Sequence, residues 1–219
     1  MTVALDIDPS KAHPWIDAAQ PTHPSLVDTT MVTNELLGFT NVPMAVWIDE
    51  DGMLVRPAEL ASIEVSALRD APIPEDMDER IKMMLQQIKK FPGDPEGYLA
   101  AIHDWVDQGA ASRFALAPDE VVARSAPRDA DKARAVACFE LGQELFRREG
   151  QDAAVPWWRE AHRLDRGNWA FKRQAWTLVT TAEGQPPDLI QGPNDVYEGN
   201  WLDDVLVLGA ENYYPQPSL

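Results

Sequence analysis

The sequence holds a single cysteine, Cys138. An internal disulfide, a dithiol pair and a cysteine-based metal site each need at least two, so all three are excluded. Basic charge is scarce as well: 19 Lys and Arg stand against 36 Asp and Glu, a formal net charge of −17, and no basic cluster exceeds a pair such as Lys89-Lys90 or Arg147-Arg148. Phosphate backbones and anionic membranes require concentrated positive charge, so nucleic acid and membrane partners are disfavoured. No apolar segment approaches the ~20 residues of a membrane span, and the N-terminus lacks the basic and apolar regions of a signal peptide. The pattern predicts a cytoplasmic protein. A Gly-rich phosphate loop, a nucleophile elbow and an HExxH motif are missing too. The four histidines, His13, His23, His103 and His162, fall at no metal-ligand spacing, so neither a metal nor a cofactor is expected. Cys138 lies inside a helical pattern and reads as a small core residue.

The 219 residues, 45% of them hydrophobic, have room for one large domain or two small ones. The stretch from Phe39 to Pro57, FTNVPMAVWIDEDGMLVRP, combines an Asn-Val-Pro step, an apolar run from Met44 to Ile48, a turn at Glu50-Asp51-Gly52 and a second run, Met53-Leu54-Val55. Two such runs around a short acidic turn with glycine predict a hairpin. Upstream, Val3, Leu5 and Ile7 alternate with polar or small residues, and Asp8-Pro9-Ser10 ends a strand over residues 2 to 7. KAHPWIDAAQ predicts a short helix that Pro14 restricts to beginning near it. An extended piece over Pro24 to Asp28 follows, then a helix from Met31 or Val32 through Phe39 with Leu36 and Leu37 on its buried side.

Strand, helix, short strand, helix, Val-Pro step and a hairpin reading WIDEDG is an order that resembles the end of a thioredoxin-like domain of the ResA and TlpA type. The resemblance covers about residues 2 to 57. It implies that the Val42-Pro43 bond is cis and that Asn41, Val42 and Pro43 form a loop presenting backbone to a substrate or partner. It also implies thiol-disulfide or peroxide chemistry for the whole family. That chemistry needs a low-pKa thiolate at a helix N-terminus and a resolving partner. The family's motif, Cys-x-x-Cys or a selenocysteine variant resembling WAxxUGC, precedes the part matched here, so no catalytic position carries over and this chain alone is expected to be inactive. Met1 stands where the fold's second strand would begin. The selenocysteine codon is also a stop codon, so a reading frame opened at the next start codon would begin here, which makes a selenoprotein fragment the expectation. An upstream sequence without an open frame carrying such a TGA-containing stretch sinks it.

Beyond Pro57, AELASIEV either extends the sheet edge or forms a loop, and Ala71-Pro72-Ile73-Pro74 is a joint. Glu75 to Lys90 places Met77, Ile81, Met84, Leu85 and Ile88 on one stripe, with acids at its start and lysines at its end as the macrodipole favours. By resemblance it is the last thioredoxin-like helix. Asp94-Pro95 opens a helix reaching Gly109, and a shorter one begins near Pro118 with Val121 and Val122 as anchors. Asp131 to Glu149, closed by Gly150, and Asp152 to Asp165, closed near Gly167, predict an antiparallel helical hairpin. Leu141, Gly142, Leu145, Ala154, Trp158 and Ala161 resemble the tetratricopeptide pattern, in which small residues let two helices approach. Arg166 stands where that family usually has proline. Asn168 to Thr181 predicts one further helix, with Trp158, Trp169 and Trp176 packed and Trp157 pointing elsewhere. In the tail a short helix spans Trp201 to Leu208, and Tyr197, Trp201, Tyr213 and Tyr214 suggest docking. Asp6, Asp8, Asp49 and Asp51 lie at strand ends, where turn roles are the ordinary reading and a catalytic carboxylate pair the other.

The expected fold class is α/β, an incomplete thioredoxin-like sheet with helices over residues 1 to 92, followed by an all-α tetratricopeptide-like domain over 93 to 184 and a Pro/Gly-rich tail over 185 to 219. Two functional classes follow. One is a thioredoxin-like oxidoreductase relative without its redox motif; the other is a non-enzymatic interaction module whose helical domain binds a protein or peptide partner. Oligomeric state is left open. Strand order adds one expectation: without the fold's first strand, Val3 to Ile7 would close directly onto Met44 to Ile48, because bare strand edges invite foreign pairing.

Overall fold

A computed structural model describes residues 1–125, 128–178, 192–215, 217 and 219. The chain mixes helices with two small sheets. Strand β1 (Thr2–Leu5) pairs in parallel with β2 (Ser25–Asp28) through the crossover helix α1 (Pro9–Ala19). Asp8 caps α1, its carboxylate accepting from the Ser10 amide at 3.0 Å. Pro14 sits inside this helix rather than at its start. Its missing N–H removes one bond to the preceding turn, and because Pro14 and Trp15 face solvent the helix tolerates the loss. Helix α2 (Val32–Leu37) is shorter than expected, and its buried residue is Asn34, whose side-chain amide donates to the Phe39 carbonyl. Leu36 is 71% exposed, and the apolar anchor at this end is Met31 instead. The Asp28 carboxylate accepts from the amide and hydroxyl groups of both Thr30 and Thr33. Burial opposes its charge, yet those four bonds hold its pKa below the ordinary value.

The predicted hairpin is present: β3 (Met44–Ile48) runs antiparallel to β4 (Leu54–Leu60). Asp49 holds its turn, accepting from the Asp51 and Met53 amides at 3.0 and 2.8 Å, while Gly52 supplies the positive φ of 78°. Asp6 likewise accepts from the Asp8 amide, so the strand-end carboxylates serve turns. Strand β4 continues to Leu60, which settles AELASIEV in favour of sheet for its first residues. Direct pairing of residues 3–7 with 44–48 does not form. The strands lie in two separate sheets, each pairing with the partner nearest in sequence. Closing a five-residue connection or a single crossover helix costs less chain entropy than joining strands about forty residues apart.

Helices α3 (Ala67–Asp70) and α4 (Glu79–Ile88) follow; Asp78 caps α4, which begins four residues later than expected and leaves Ile81 exposed. Then come α5 (Pro95–Gln108), capped by Asp94, and α6 (Pro118–Arg124), in which Val121 is buried but Val122 is 73% exposed. Helices α7 (Ala130–Glu149) and α8 (Gln151–Leu164) turn back on each other at Gly150. Ala154, Trp158 and Ala161 are fully buried between them, and Gly142 lies directly against the Trp158 ring, whereas Leu141 faces solvent. Helix α9 spans Trp169–Leu178, the expected extension to Thr181 lying outside the described residues; α10 (Trp201–Leu208) ends at Gly209 as expected. Trp157 is 40% exposed while its neighbour Trp158 is wholly enclosed.

The compact units are not sequential. One comprises 1–40 with 127–199, the other 41–126 with 200–219, so the divisions at 92/93 and 184/185 are replaced. A two-stranded parallel sheet cannot cover its own faces. In the first unit Leu5 and Met31 join a core built by Phe139, Trp158, Phe171 and Ala175, and the Ile7 amide donates to Gln174 Oε1 at 3.1 Å. The helical hairpin therefore belongs to a mixed α/β unit, not to an all-α domain. In the second unit Trp47, Tyr98 and Phe114 form the core; Trp47 stacks on Trp105 at 5.0 Å and donates to the Tyr98 hydroxyl at 3.0 Å.

Candidate functional site

The Val42–Pro43 peptide bond is cis, as the resemblance implies. Asn41, Val42 and Pro43 lie at the entrance to β3, with Asn41 fully buried and Pro43 exposed. Asn41 Oδ1 accepts from the Val42 amide at 2.9 Å, and this turns Nδ2 outward to donate to the Tyr213 carbonyl at 2.9 Å. The Val42 carbonyl accepts from the Tyr214 hydroxyl at 3.0 Å. One strand further, the Leu60 amide donates to the Pro215 carbonyl at 3.0 Å. The loop thus presents its polar groups to a peptide segment, and that segment is the chain's own residues 213 to 215.

Aromatic packing holds the segment there. Tyr213 is buried, stacks on Phe91 at 4.4 Å with only 9° between the rings, and accepts from Trp201 Nε1 at 3.0 Å. Tyr214 meets the edge of the same Phe91 ring at 5.9 Å. Stacking on one ring and three hydrogen bonds, one of them between two main-chain groups, fix this segment where it leaves a short 3-10 turn over Ala210–Asn212, with Tyr213 in a right-handed helical conformation.

Four residues beyond Pro215, Leu219 lines a cavity of about 370 Å³ together with Arg56, Arg113, Phe114, Glu120 and Arg124. Arg56 points inward from β4 and is almost wholly buried. It donates to both carboxylate oxygens of Glu59 at 2.7 and 2.9 Å and to the Phe114 carbonyl at 3.0 Å. The Arg113 guanidinium lies over the Phe114 ring at 4.5 Å, and Arg124 reaches Glu120 at only 3.6 Å. Sequence reasoning missed this cavity because positions 56, 113 and 124 form no run; only tertiary packing gathers them. It missed the seat of the tail for the same reason, although the density of Tyr213 and Tyr214 pointed to docking.

A second polar cluster lies in the unit of 1–40 and 127–199. Lys172 is 1% exposed, with Nζ 4.2 Å from the centre of the Trp169 ring and 5.0 Å from that of Tyr197. His162 packs on Tyr197 at 4.9 Å, and neither of its ring nitrogens has a hydrogen-bond partner. Burial, reinforced by the nearby Lys172 charge, pushes its pKa down to about 3, so the ring is neutral at physiological pH. A ring so enclosed has no route to a substrate proton and acts as a packing residue. Cys138 is buried in the same core, where a thiol is a small apolar group and not an exposed thiolate. Among the described residues no group of three His, Cys, Asp or Glu is placed to hold a metal, and no helix is long and apolar enough to cross a membrane.

No protein-family model matches the chain, and comparison with curated proteins and with solved structures returns no match.

Proposed function

We propose that the chain is a thioredoxin-like relative that works by binding peptide segments, and that it lacks redox turnover of its own. The observation that carries this reading is the seating of Tyr213, Tyr214 and Pro215 on Asn41, Val42 and Leu60. In a ResA-like domain the corresponding loop meets the substrate. Here the same loop meets a stretch of the chain's own tail, and the lone buried thiol leaves binding as the chemistry available to it. The close approach of α7 and α8 through Gly142, Ala154 and Ala161 supports a tetratricopeptide-like character for that hairpin, with the role of a helical support.

Labelled peptide YYPQPSL, added in trans and followed by fluorescence anisotropy, tests the reading. The tethered tail competes at a high effective concentration, so the full chain carrying Pro215→Gly and Pro217→Gly is compared with the unaltered one; glycine adds freedom to the unbound tail and weakens its hold. The expected outcome is tighter peptide binding by the double variant. Flat anisotropy with both chains overturns the peptide-site reading.

A further inference from the structure

We infer that the outer edge of β3 takes up an extended strand of a partner protein, paired antiparallel, with a basic residue of that strand beside Glu50 and Asp51. Pro215 lies against the opposite edge of the hairpin, so this surface is independent of the peptide reading above. The Pro43 carbonyl accepts from the Ala61 amide and the Asp49 amide donates to the Met53 carbonyl, so both residues face β4. Ala45 pairs with Glu59, Trp47 with Arg56 and Ile48 with Leu54, which puts each extra residue of the irregular register on β4 and leaves β3 regular. Alternation along β3 then turns the N–H and C=O groups of Ala45 and Trp47 toward β4 and those of Met44, Val46 and Ile48 away from it.

The two edges of the hairpin differ. On β4 the Leu60 amide donates to the Pro215 carbonyl and the Val55 carbonyl accepts from the Leu116 amide, each at 3.0 Å. On β3, among the described residues, no hydrogen bond reaches the backbone of Met44, Val46 or Ile48 from outside the hairpin. Within Met44–Ile48 there is no lysine, proline or bulge, the devices that close a strand edge to foreign pairing. Its uncharged run MAVWI, with Ile48 exposed and Met44 and Val46 half-buried, is a template for main-chain pairing, and antiparallel pairing is the slightly more stable kind. Charge selects among strands. Glu50 and Asp51 stand exposed just past Ile48 with no ion pair among the described residues, and neither carboxylate is used in the turn, which Asp49 holds. A second copy would bring a net charge of −17 against the same charge, whereas a strand beginning with Lys or Arg places its cation beside these two carboxylates.

Two peptides, KTVTVTV and ETVTVTV, each acetylated at the N-terminus and carrying a fluorophore on the C-terminal amide, are compared by anisotropy with the full chain. The Lys peptide is expected to bind about fivefold tighter, from an exposed attraction gained and a repulsion avoided, and the margin should vanish in the chain carrying Glu50→Gln and Asp51→Asn. Val46→Pro removes an outward N–H that the hairpin does not use and is expected to weaken both peptides about tenfold, with circular dichroism unchanged. In the unaltered chain the amides of Met44, Val46 and Ile48 should exchange more slowly once the Lys peptide is bound, a readout that needs no variant. Failure of both peptides to bind, or binding without protection of those three amides, overturns the edge as a docking surface. Undiminished binding by a folded Val46→Pro chain does so too. Equal binding of the two peptides overturns the basic partner. Dimerisation of the chain on its own in sedimentation, abolished by Val46→Pro, gives the edge to a second copy and overturns the partner strand.

Discussion

At Gly142 a β-carbon would sit 2.5 Å from Trp158 Cδ1 and 2.6 Å from Nε1, closer than packed atoms allow. Trp158 is fully enclosed and cannot retreat, so Gly142→Ala is expected to cost about 1 to 3 kcal/mol despite alanine's better helix propensity. Urea unfolding reads this directly, and an unchanged midpoint would show that the helices can part. His162 gives a second prediction. Its folded pKa of about 3 lies below the ordinary 6.5, so between those values the unfolded chain binds a proton that the folded one refuses. Its neutral form therefore contributes stability that is intact above pH 6.5 and lost at about 1.4 kcal/mol per pH unit on descending toward 3. Comparing His162→Phe with the parent at pH 7 and pH 5 isolates the effect, since every other titrating group is shared. The parent should lose about 2 kcal/mol more than the variant over that interval. Equal losses would mean that the folded protein admits a proton at this ring.

Helix α1 shows how an element survives a local violation. Asp8 satisfies its first turn and Gln20, in the left-handed region, closes it with a bond to the Ile16 carbonyl. Pro14 removes one internal bond between those two ends. Pro14→Ala is expected to restore an amide donor to the Ser10 carbonyl and to stabilise the protein by about 1 to 3 kcal/mol, visible as a higher Tm and a newly protected amide at position 14. A lower Tm would reveal that the proline's ring is used in packing. The hairpin of β3 and β4 illustrates the opposite balance: its turn residues, Asp49 and Gly52, agree with the structure in every bond, and the strand beyond them carries the two buried charges, Arg56 and Glu59, as a mutually neutralising pair. Apolar patterning extends a strand only as far as its hydrophobic residues continue. The bidentate pairing of Arg56 with Glu59 is what lets a polar stretch of β4 remain inside.

For the molecule as a whole, the reading proposed above expects binding without turnover. Insulin reduction by dithiothreitol, followed by turbidity in the presence of the 219-residue chain, should proceed at the rate of the protein-free control. Acceleration above it would expose a redox group that neither the composition nor the fold discloses. The interleaving of the two compact units makes truncation a poor probe, because a cut at residue 92 or 184 divides each unit from its own core. Point variants in the full chain are the appropriate instruments.

The sequence by itself determined the elements whose causes are local. The hairpin turn around Glu50 to Gly52, the caps at Asp94 and Gly209, the helix break at Gly150 and the opposite environments of Trp157 and Trp158 all follow from residues within one or two turns of each other. The cis bond at Pro43 was expected only as what the resemblance at Asn41-Val42-Pro43 implies. Tertiary structure alone decided which strands pair, which helices cover β1 and β2, where Tyr213 to Pro215 dock, and that Arg56, Arg113 and Arg124 share a cavity. It also turned Leu36, Val122 and Leu141 outward against their apolar character. Periodicity shows which residues can share a face, but the partner that covers a face lies far along the chain. Its arrival depends on the balance between loop entropy and buried area, which no local pattern records.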